Sequence, residues 1–112
     1  MEGDARGFRV ALVAGELLNG STGVDVLGVL LQEDWGAVQL PAAEYPDDVA
    51  APLLEQAAEQ TEEFARHGYR LAVIGGRAGL EAALAAYGIE ALPQIDPADE
   101  DDLRAFLRAV AA

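Results

Sequence analysis

Four short apolar runs alternate with four stretches of helical spacing along this chain, and that alternation leaves few folds open to it. The first run, residues 8–14 (FRVALVA), is rich in β-branched residues and bounded by Gly7 and Gly15, as a buried strand requires. The second, 37–40, is ended by Pro41, and the third, Arg70–Ile74, is continuous, apolar and followed by Gly75-Gly76. A weaker fourth, 92–95, contains Pro93, which suits an edge position because proline cannot donate to a ladder.

Between these runs the apolar residues recur every three to four positions. Val24, Leu27, Leu30 and Leu31 mark a first helix, with Ser21 or Thr22 as its N-cap. A long second helix opens at Pro46-Asp47-Asp48, carries Val49, Leu53, Ala57 and Phe64 along one side and stops at Gly68. Leu80, Leu84 and Tyr87 define a third, and a fourth starts near Asp99 with Leu103, Phe106, Leu107 and Val110 turned inward. The expected fold is a single-domain α/β sandwich with a largely parallel four-stranded sheet and about four helices, spanning residues 8–112 behind a seven-residue tail. Trp35 is expected to pack in the interior.

Charge narrows the function classes. Seven basic residues, all arginine, face 20 acidic ones for a net charge of −13, a field that repels nucleic acid and anionic membrane surfaces. Without lysine there is no Schiff-base chemistry and no Walker-type phosphate contact, and without cysteine no thiolate nucleophile or zinc-thiolate site. No apolar stretch has the length to cross a bilayer, and Met1-Glu2-Gly3-Asp4 is acidic where a signal peptide would be basic, so a cytoplasmic location is expected.

In an open parallel sheet, ligands and partners meet the loops at the carboxyl ends of the strands. That edge would collect Glu16, Asn19, Ser21 and Thr22 after the first strand and Glu44, Tyr45, Asp47 and Asp48 after the second. Arg77 would join them after the third, and Asp96 and Asp99 after the fourth. The acids at helix starts read as caps and dipole partners, so no metal site is assigned. Gly75, Gly76 and Arg77, between a strand and a helix, are the candidate for an alternative role, binding a small ligand or nucleotide. The turn matches neither GxGxxG nor GK[ST]. Ser21 and His67 are the sole serine and histidine and lie at unrelated helix ends, which leaves no catalytic constellation and no cofactor to assign. A phosphotransfer receiver would need paired acids after the first strand and a lysine, and the chain has neither. Glu55, Glu59 and Glu63 form an acidic helix face, with Glu62 set to pair with Arg66, and this face could dock a basic partner. Self-association through an edge strand or this helix stays open, although the charge disfavours parallel contact of identical faces.

Three stretches resemble the STAS domain, the fold of bacterial anti-sigma-factor antagonists. They are Gly15-Glu16-Leu17, the strand, turn and long helix from Val38 to Phe64, and the segment from Gly68 through Arg70-Leu71-Ala72-Val73-Ile74-Gly75 to Tyr87-Gly88-Ile89. The resemblance implies a non-enzymatic regulatory domain that binds another protein through the turn before the second helix, with Glu44, Tyr45, Asp47, Asp48 and Val49 as contacts. In that family an Asp-Ser-Ser-Gly-like turn carries a phosphorylated serine; the matching positions here read Asp47-Asp48-Val49-Ala50. That family usually has an extra strand before the Gly-Glu-Leu strand, and only seven residues precede Phe8 here, so that strand is not expected. These departures imply a divergent member whose permanent charge at Asp48 serves a constitutive interaction.

Overall fold

The computed structural model describes residues 8–76, 78–90, 92–97 and 99–112. The expected tail at residues 1–7 and the candidate Arg77 lie outside them. Strands β1 (Arg9–Ala14), β2 (Gly36–Leu40), β3 (Arg70–Ile74) and β4 (Gln94–Ile95) form one sheet in the order β2-β1-β3-β4. Every pairing is parallel, with Leu12 beside Val38 and Val73. The connections are the helices α1 (Gly20–Gln32), α2 (Asp47–Arg66) and α3 (Leu80–Ala86), and α4 (Glu100–Ala111) closes the chain.

Residues of β1 and β3 point alternately to the two faces, and each face carries its own core. Ala11, Val13, Ala72 and Ile74 pack under α1 and α4 with Val26, Val29, Leu30, Trp35, Leu103 and Leu107. Leu12 and Val73 pack on the other face with Leu54, Ala57 and Ala58 of α2 and Leu80 and Leu84 of α3. The result is a three-layer, doubly wound α/β domain, as the strand and helix alternation requires.

The helix faces differ in part from the spacing read in the sequence. In α1 the buried positions are Gly23, Val26, Val29 and Leu30, whereas Val24, Leu27 and Leu31 face outward. Its N-cap is Asn19 rather than Ser21 or Thr22, because a 3-10 turn, Gly15–Leu18, precedes the helix and brings the chain in early. In α2 the stripe against the sheet is Ala50, Leu54, Ala57, Ala58 and Thr61, all but Leu54 small enough to let helix and sheet approach closely. The Thr61 hydroxyl, fully buried, donates to the Ala57 carbonyl at 2.7 Å. Val49 and Leu53 sit at the margin of this stripe and are exposed.

Polar clasps fix the outer layer. Glu33, at the C-cap of α1, accepts two hydrogen bonds of 3.0 Å from Arg108 of α4 and lies 3.4 Å from Arg104. The Arg108 hydrogen bonds hold the Glu33 carboxyl below the usual carboxylate range against the opposing effect of desolvation, with further help from the positive charges of Arg108, Arg104 and Arg9. Asp99 caps α4, its Oδ1 accepting from the Asp102 N–H at 2.8 Å.

Candidate functional site

The strand order sets where the carboxyl ends open. From β1 the chain leaves through α1 on one face toward β2, and from β3 through α3 on the other face toward β4, so the loops after β1 and β3 part company. In doubly wound sheets the crevice between two such strands is the usual ligand position. Here Leu17 of the 3-10 turn fills that ground: a Cβ on Gly75 would fall 2.5 Å from Leu17 Cδ1. Gly75 has φ 66°, and its N–H donates to the Ile95 carbonyl at 2.8 Å. A Cβ on Gly76 would come within 3.2 Å of Val73 Cγ1. Close packing, a left-handed backbone and a sheet hydrogen bond therefore account for this glycine pair without a phosphate.

The loop after β2 is built differently. Gly15 presses against it so closely that a Cβ there would lie 2.8 Å from the Leu40 carbonyl oxygen. Next along the 3-10 turn, Glu16 accepts a hydrogen bond of 3.1 Å from the Ala43 N–H. The loop turns on the Tyr45 N–H to Ala42 carbonyl bond, 3.1 Å, and enters α2 through Pro46, whose carbonyl accepts from the Val49 and Ala50 N–H groups at 3.0 and 2.9 Å. Asp47 and Asp48 occupy the first helical turn, where their charge favours the positive end of the helix dipole. The structure thus brings Glu44, Tyr45, Asp47, Asp48 and Val49 together as one exposed tip, with Tyr45 44% and Val49 48% accessible. A cleft of about 520 Å³ runs from this tip between β2 and α2, with Tyr45, Leu53, Gln56 and Gln60 on its walls.

The other sequence candidates stay apart. Ser21 lies in the first turn of α1 at the carboxyl end of the sheet, and His67 is the C-cap of α2 at the opposite end, so they cannot form a relay. Among the described residues no group of three or more His, Cys, Asp or Glu is placed to hold a metal ion. No helix among them is long and apolar enough to cross a membrane. The acidic face of α2 looks toward α3: burial and the charges of Glu55, Glu59 and Glu62 push the Tyr87 phenol above its ordinary range. Glu62 and Arg66 pair as the spacing predicts, at 2.7 and 3.0 Å.

Two contacts escaped sequence reasoning, the Glu16 brace on the tip and the Leu17 plug between β1 and β3. Their only local signal was a Gly-Glu-Leu-Leu run directly after a strand, which spacing alone does not distinguish from the start of a helix. Compared with protein-family models, with curated proteins and with solved structures, the chain matches none of them.

Proposed function

We propose that this chain is a non-enzymatic, STAS-like interaction domain that binds a protein partner through the tip formed by Glu44, Tyr45, Asp47, Asp48 and Val49. The observation that carries the reading is the pairing of exposed apolar surface, Tyr45 and Val49, with carboxylates on a loop that Glu16 braces. Tyrosine is among the residue types enriched in binding hot spots, and charge around such an anchor steers the partner to it. A net charge of −13 steers the tip toward a basic surface, and Asp48 supplies at the helix start a charge that no kinase has to add. The interaction is therefore constitutive, and it takes place inside the cell.

Asp48→Arg tests the site. The residue is exposed and its carboxylate contributes at most about 1 kcal/mol to the helix, so the fold should survive the change. Titration calorimetry against the partner captured by the wild-type chain should show affinity reduced at least about tenfold. Unchanged affinity would remove the tip from the interface.

A further inference from the structure

The two edges of the sheet are treated in opposite ways. At one edge β4 has two residues, Gln94 and Ile95, set between Pro93 and Pro97, which is how folded chains prevent further strands from adding. At the other edge β2 offers five residues, Gly-Ala-Val-Gln-Leu, with no charge, proline or bulge inside them, and pairs only with β1. The exposed large apolar side chains gather around this open edge. Phe8 lines a hollow beside its first half, Tyr45 and Leu53 line the cleft beside its second. Val24, Leu27 and Leu31 form a stripe on α1, whose opposite side is engaged with α4 through Gln32 and Glu33. Because α1 lies between α4 and the β2 edge, that stripe flanks the edge.

Two further features say what covers it. On α2 the side toward β2 carries Gln56 and Gln60, while Glu55 and Glu59 lie on the side toward Tyr87 of α3. A primary amide both donates and accepts, so it can meet a copy of itself, which a carboxylate cannot. In a chain of charge −13 a foreign partner would be drawn to the acids, whereas a second copy requires a strip from which charge has been removed. Second, Gly28 stands in the interior of α1 beside the stripe, although a Cβ there would meet nothing within 4 Å. Among the described residues nothing packs on that glycine, and its missing side chain leaves room for the close approach of another helix.

We propose that β2 pairs antiparallel with β2 of a second copy about a two-fold axis near Val38, giving one continuous eight-stranded sheet. The α1 stripes then meet across Gly28 on one face and the Leu53, Gln56 and Gln60 sides of α2 meet on the other. Such a contact is isologous and closed, so it stops at the dimer. Asp34 and Glu44, at the two ends of the strip, and Glu63, one turn beyond Gln60, bring carboxylates toward the partner's, which makes the dimer tighten as salt screens them.

Sedimentation velocity of the purified chain over a concentration series, at about 0.15 M and about 1 M salt, is the test. A mass rising to twice 11.7 kDa, tighter at high salt, is expected, with slowed hydrogen exchange at the Gly36–Leu40 amides as the dimer fills. Leu31→Arg, at a side chain 75% exposed, should weaken the dimer at least about tenfold without changing the unfolding of the monomer. Val24→Arg, at 72% exposed, should do the same and guards against a folding defect of the first variant. Asp48→Arg should leave the dimer intact, which separates this proposal from the tip's partner. A monomer at every concentration and salt, or a dimer indifferent to both arginine variants, would overturn it.

Discussion

Gly75→Ala probes the crevice between β1 and β3 directly, and its effect can be worked out from two features. The backbone at Gly75 has φ 66°, and holding an alanine there costs about 1–2 kcal/mol. The added Cβ would also sit 2.5 Å from Leu17 Cδ1. Leu17 is half-buried, so it can swing out, at about 1 kcal/mol of rotamer strain and lost packing. Together these give about 2–3 kcal/mol of destabilisation, which for a domain of this size lowers the midpoint of thermal unfolding by about 10–20 °C. Urea denaturation should show the same loss with an unchanged slope, since the surface exposed on unfolding hardly changes. The Leu17→Ala background separates the two contributions: there Gly75→Ala should cost only the backbone part, leaving a coupling of about 1 kcal/mol. A neutral Gly75→Ala, or an equal cost in both backgrounds, would refute the claim that Leu17 packs on this glycine.

Two further outcomes follow from the outer layer. In the Leu31→Arg background, Gly28→Ala should stabilise the monomer by about 0.5–1 kcal/mol in urea denaturation, because the new methyl meets no neighbour; destabilisation there would show that the glycine serves the monomer's own packing. Glu33→Gln should destabilise the domain at neutral pH. Since the Arg108 hydrogen bonds lower the carboxyl's folded-state pKa, its contribution is full above the unfolded value, about 4.3, and is lost as pH falls through the folded one. The stability gap between wild type and variant should therefore close on acidification, and a gap that stays constant would show that the clasp contributes nothing through its charge.

The architecture was legible because its signals are local and agree with one another. Gly15, Pro41 and Gly75 close apolar runs of strand length, and the intervening segments keep helical spacing with an acid at Asp99 that does cap. What could not be read was which side of a helix turns inward when apolar residues lie on both. In α1 the outward Val24, Leu27 and Leu31 keep helical spacing as well as the inward Val26, Val29 and Leu30 do, and only the sheet decides between them. In α2 the larger Val49 and Leu53 drew attention from Ala50, Ala57, Ala58 and Thr61, whose small size is what the close helix-sheet contact needs. The tip could be traced because Pro41 closes β2 after Leu40 and Pro46-Asp47-Asp48 opens α2, which sets Glu44 and Tyr45 in the loop and Asp47, Asp48 and Val49 in the first helical turn. The bonds that position it come from Gly15 and Glu16, which are near it only after β1 and β2 have paired.

The central claim is that the tip engages a protein, and native mass spectrometry of the tagged chain, drawn gently from the cells that make it, addresses this most directly. The account predicts a stoichiometric polypeptide bound to the chain and absent from the Asp48→Arg variant. A retained mass of a few hundred daltons with no second polypeptide, unaffected by Asp48→Arg, would contradict it and return attention to a small ligand.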